Sequence, residues 1–130
     1  MNTFNKIIVD SEINDVVINE GDNLNIGGGS CSIQGGLLKV MGFDDVIMTV
    51  PHNHYLEIKI TTTCGDCVIN FNESLIEKVA FESESGDLVV NGQCNNVSFN
   101  SHDGYCITKT PLLNKKSQGK TVKERSNYDL

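Results

Sequence analysis

Residues 58–70 read IKITTTCGDCVIN, residues 79–91 read VAFESESGDLVVN and residues 97–109 read VSFNSHDGYCITK. Aligned on Gly65, Gly86 and Gly104, at spacings of 21 and 18 residues, each is an apolar alternation, a Gly-centred turn and a second short apolar run. Repetition at this period is the mark of one supersecondary unit stacked on copies of itself. Ile58, Val79 and Val97 form one column, Ile60, Phe81 and Phe99 the next, and Thr62, Ser83 and Ser101 a third. A period of two before the turn means strand. After it, Cys67, Leu88 and Cys106 coincide, followed two places on by Ile69, Val90 and Thr108. One unit cannot bury its own apolar side, so the copies must fold together around a shared core. The intervening column Val68, Val89 and Ile107 is also apolar. Either the second run is covered on both sides or that side meets a partner.

The rest of the chain agrees with a single β domain. Fifteen Asn and twelve Gly accompany two Pro and no Trp, a composition suited to many tight turns. Strands are expected at 6–9, 15–19, 24–26, 31–33, 37–41 and 46–50, with turns at 20–23, 27–29 and 35–36. The Gly27-Gly28-Gly29 run lacks the Lys-Ser or Lys-Thr of a phosphate loop and reads as a turn. Only residues 72–78 have a helical look, enough for one or two turns.

Met48-Thr49-Val50-Pro51, then Leu56-Glu57-Ile58-Lys59-Ile60, then Gly65-Asp66 and the Ser85-Gly86-Asp87-Leu88 turn give the chain a family likeness. Over residues 13–109 it resembles the bacterial adhesin-like family of β-strand-repeat proteins (DUF4097-like), a family of undefined function. The resemblance implies an all-β, right-handed, single-chain β-solenoid of short stacked rungs. On that basis residues 1–109 form a β-solenoid domain and residues 110–130 a basic C-terminal tail or cap. Gly104-Tyr105 departs from the family's Gly-Asp turn.

Charge divides the same way. Residues 1–108 carry 15 acidic and 4 basic side chains, whereas residues 109–130 carry six basic and two acidic ones. An acidic body argues against nucleic acid and anionic membrane as partners of the rungs, because phosphate neutralisation needs clustered Lys and Arg. The tail is expected to lie across the last rung, starting with Pro111-Leu112-Leu113, and to cover its open strand edge. No export signal and no membrane span is apparent, so the chain as given is expected in the cytoplasm, or outside it if it is an excised domain. Five Cys, an odd number, fit free thiols in a reducing compartment.

Few residues invite chemistry. His52 and His54 with Cys64 and Cys67 have the donor types of a zinc site, but the alignment puts Cys64 at the turn and Cys67 in a core column. No helix follows the Cys-x-x-Cys, as a redox motif requires. His102 beside Asp103 reads as a turn rather than a catalytic pair, and Glu57, Glu82 and Glu84 as a solvated outer face rather than a glycosidase cleft. The expectation is therefore no catalytic residue, no cofactor, no metal, and a non-catalytic adhesin-like module for protein or surface interaction. A self-assembling, bactofilin-like cytosolic scaffold joined through strand edges is the alternative, and a zinc-binding or polysaccharide-acting protein the remote one.

Overall fold

The computed structural model describes residues 4–52, 54–108 and 114–124. The described residues form ten strands: β1 (Lys6–Ser11), β2 (Val16–Gly21), β3 (Asn25–Gln34), β4 (Leu37–Pro51), β5 (His54–Thr61), β6 (Cys67–Asn70), β7 (Leu75–Ser83), β8 (Leu88–Asn91), β9 (Cys94–Thr108) and β10 (Asn114–Glu124). The chain is all-β, as the alternation requires, and no helix occurs among the described residues. Residues 72–78, expected to be helical, instead bend at 72–74 and enter β7.

The aligned columns are columns of the sheet. Ile58 pairs with Val79 and Val79 with Val97, while Ile60, Phe81 and Phe99 follow in register. Cys67, Leu88 and Cys106 align in the same way. All of them are buried, and Phe81 stacks on Phe99 with ring centroids 5.8 Å apart and planes 4° from parallel. The same columns extend into the first 51 residues, where Ile7 and Val9 pair with Ile58 and Ile60 on one side and with Leu38 and Val40 on the other. Val16 and Ile18 likewise stand between Val46 and Met48 and Cys67 and Ile69.

The open solenoid expected from the repeat is corrected by the pairing: the strands close into a parallel barrel. The hydrogen-bonded path runs β1-β5-β7-β9-β8-β6-β2-β4 and returns to β1, giving eight strands without a break in the ring. Closure comes from β4 and β9, each 15 residues long. The first half of β4 pairs with β1 and its second half with β2, and β9 joins β7 to β8 in the same manner. Each long strand thus turns a corner and belongs to both walls. The first strand in sequence, β1, is held on both edges, by β4 and β5.

Two strands lie off the ring. β3 pairs antiparallel with β4, and the Gly27–Gly29 segment expected to be a turn is a bulge inside β3, with Gly28 at φ 82°. That conformation, and the 1.9 Å at which a Cβ would meet the Asp45 carbonyl oxygen, require glycine. β10 runs parallel to β9, from Asn114 beside Asn96 to Glu124 beside Thr108. Pro111, Leu112 and Leu113 lie outside the described residues.

Polar ladders climb the corners and one wall. Asp45, Asp15, Asp66 and Asp87 each accept, through Oδ1, the backbone N–H of the next residue in the column, at 2.8 to 3.0 Å, the last being Tyr105. Asn91 Nδ2 donates to Asn70 Oδ1 (2.7 Å) and Asn70 Nδ2 to Asn19 Oδ1 (3.0 Å). Thr62, Ser83 and Ser101 donate to carbonyls of the preceding corner and accept the N–H of Gly65, Gly86 and Gly104. Among the described residues no buried side-chain N or O lacks a partner.

Candidate functional site

Parity places the outward residues of the first wall. Met41, Asp10, Thr61, Glu82 and Asn100 form one column across β4, β1, β5, β7 and β9, directly before the corners. Together with Glu12, Thr63 and Glu84 on the corners they line an open groove of about 600 Å³. It crosses five strands, hence about 19 Å at the usual interstrand spacing. Four carboxylates, those of Asp10, Glu12, Glu82 and Glu84, face it, and no Lys, Arg, His or Cys is among its lining residues. On the corners beside it, Ile13 and Phe43 are 68% and 75% exposed.

Three of the five hydroxyls lining this groove are occupied structurally. Ser11 Oγ donates to the Asn14 carbonyl (2.9 Å), Thr62 Oγ1 to that of Glu12 (3.1 Å) and Ser83 Oγ to that of Thr63 (3.0 Å). A hydroxyl whose proton is spent on a backbone carbonyl is not an activated nucleophile. Glu82 and Glu84 thus share the groove, whereas Glu57, grouped with them in the sequence, lines a separate small pocket with Lys6, Lys59 and Lys78. His102 and Asp103 are exposed at the corner of β9.

Of the residues with zinc-donor chemistry, His52 and Cys67 are not brought together. Cys67 is fully buried at the start of β6, level with Val16 and Val46, and burial pushes its thiol well above the usual range. Cys64 is exposed on the corner. His52 follows the far end of β4, six residues beyond Val46, so roughly 20 Å along the strand direction separates it from Cys67. Asn53 and the side chain of His54 lie outside the described residues. Among the described residues no group of three His, Cys, Asp or Glu side chains is arranged to hold a metal ion.

His52 belongs to a different constellation. Val16, Ile18 and Glu20 share one parity in β2, so Glu20 points inward, and its side chain is 3% exposed. The loop after β6 wraps it: the N–H groups of Asn72, Glu73 and Ser74 donate to its carboxylate at 2.8, 2.8 and 2.6 Å, and His52 Nδ1 lies 3.0 Å from Oε2. Burial alone pushes the carboxyl up, but the bonds from Ser74, His52, Glu73 and Asn72 outweigh it and hold it at about 2. The hydrogen bond to Glu20 in turn raises His52 above its ordinary value of 6.5. The sequence reading missed Glu20, although the parity of Val16 and Ile18 marks it as an inward carboxylate.

Glu20→Gln is expected to cost about 2–3 kcal/mol at pH 7, because one amide oxygen replaces two charged acceptors facing three N–H donors. Since the folded carboxyl is depressed, its contribution is complete above 4.5 and disappears as pH falls towards 2. His52 acts in the opposite sense, its contribution being present below 6.5 and lost as pH rises through the raised value. Urea midpoints measured from pH 7 to 2 should fall less steeply below pH 4.5 in the variant than in the parent. Parallel curves would remove Glu20 from this role.

No protein-family model matches the chain, and no curated protein matches it in sequence. No helix among the described residues is long and apolar enough to cross a membrane.

Proposed function

We propose that the protein is a non-catalytic interaction module whose corner groove receives an extended, basic segment of a protein partner. The observation that carries this reading is the groove itself, about 19 Å long, with two pairs of carboxylates, Asp10 and Glu12 at β1 and Glu82 and Glu84 at β7, about 10 Å apart, and the exposed Ile13 and Phe43 beside it. That length suits about six residues of extended chain at roughly 3.3 Å each. Alternating Lys or Arg would meet the carboxylates, and an apolar residue at one end would cover Phe43. The hydroxyls of Ser11, Thr62 and Ser83, committed to backbone carbonyls, support a binding role over hydrolysis.

Fluorescence anisotropy with a labelled Lys-rich hexapeptide bearing a terminal Leu tests it, with a Glu-rich peptide of equal length as control. Binding of the basic peptide should weaken as salt rises. Glu82→Lys/Glu84→Lys should weaken it at least about tenfold, or 1.4 kcal/mol. Equal binding of both peptides, or an unchanged affinity in the double variant, would refute the groove as the binding site.

A further inference from the structure

The opposite wall presents a second surface, independent of the groove. Along β4, β2, β6, β8 and β9 the outward residues Ile47, Val17, Val68, Val89 and Ile107 lie in one column, with no register shift between any two neighbours. Ile47 is 59% exposed and the other four are half-buried. Two residues before the first four, on the corner side, stands the Asp ladder, with Tyr105 in that place before Ile107; two residues after Val17, Val68 and Val89 stands the Asn ladder, with Thr49 beside Asn19. The wall therefore carries an apolar stripe about 19 Å long, flanked over β2, β6 and β8 by a row of acceptors on one side and a row that donates on the other.

We infer that this wall is a homodimer face, and that a second copy of this chain covers it with a two-fold axis running along the apolar column. Charge and hydrogen bonding choose that axis. A two-fold axis along the strands would bring one Asp ladder against the other, an unfavourable row of like charges. An axis along the column puts Val68 against Val68 and Val89 against Val89 of the second copy, and sets each Asp ladder opposite an Asn ladder. The ladder uses one oxygen of each Asp and one N–H of the Asn70 and Asn91 amides, which leaves an acceptor and a donor for the contact across the interface. The face is isologous, as a closed dimer demands. Its modest size places it at the low end of specific interfaces, so the dimer forms with rising concentration.

Sedimentation equilibrium of the full chain over a hundredfold concentration range should show the average mass rising from one chain towards two, and Val89→Lys should hold it at one. Oxidative cross-linking in a Cys31→Ser/Cys64→Ser background then reads the axis. Val68→Cys should link to itself and Asp66→Cys should not, whereas Asp66→Cys combined with Asn70→Cys should link. Val68 is half-buried and outward, and the circular-dichroism β signal shows whether each variant keeps the fold. A single-chain mass at every concentration overturns the dimer. Self-linking of Asp66→Cys without that of Val68→Cys overturns the axis.

Discussion

Replacing Phe81 by Ala is expected to lower stability by about 3–5 kcal/mol, the largest loss of any single side-chain truncation in the molecule. Phe81 is fully buried and stacked on Phe99, and its column continues through Ile60, Val9 and Val40. The cavity opens in the middle of the barrel, where neighbours on both sides are fixed by sheet register and cannot collapse into it. Phe43→Ala is the control: that ring is 75% exposed, and its loss should stay within about 0.5 kcal/mol. Urea unfolding at pH 7 measures both. Equal losses would contradict the column assignment.

Gly86→Ala is expected to cost about 3 kcal/mol or more, by a different mechanism. A Cβ at Gly86 would stand 2.1 Å from the carbonyl oxygen of Gly65 and 2.8 Å from Ser83 Oγ, and one at Gly104 would stand 1.9 Å from the Gly86 carbonyl oxygen. The obstacle is backbone, so relief requires prising the corners apart against the Ser83 and Asp66 hydrogen bonds. Gly35→Ala separates this from conformational strain. Gly35 has φ 60°, a Cβ there would meet nothing within 4 Å, and an L-residue in that conformation costs about 1–2 kcal/mol. A smaller loss at Gly86 than at Gly35 would mean that the corners are not packed as described.

These two positions also mark what the sequence made legible. Period-two alternation and the Gly-anchored alignment located the core, because in a parallel ladder like residues stack on like. They missed the copies at Ile7 to Asn19 and Leu38 to Val50, whose corners carry Asn14 and Asp44 where later copies have glycine. The tetrapeptides Val16-Val17-Ile18-Asn19, Cys67-Val68-Ile69-Asn70 and Leu88-Val89-Val90-Asn91 would have revealed the earlier copy and the Asn ladder together. The closed ring was not legible at all. It depends on β4 stacking outside β1 and β2, which precede it in the chain, and on β4 and β9 continuing through a corner. Both are non-local choices that local periodicity does not encode.

The candidate site was legible only in part. Glu82 and Glu84 were singled out, but their neighbours Asp10 and Glu12 come from β1 and its corner some seventy residues away, joined through β5. Cys67 was placed correctly in a core column, and its separation from His52 follows from the direction of the strands in one wall.

Amide hydrogen exchange of β1, followed residue by residue, tests the closed barrel most directly. Held between β4 and β5, Ile7 to Asp10 should exchange as slowly as Val79 to Phe81 in β7 and far more slowly than Ser30 to Ser32 in the outer strand β3. Exchange of β1 as fast as that of β3 would mean that its pairing with β4 does not persist and that the ring is open.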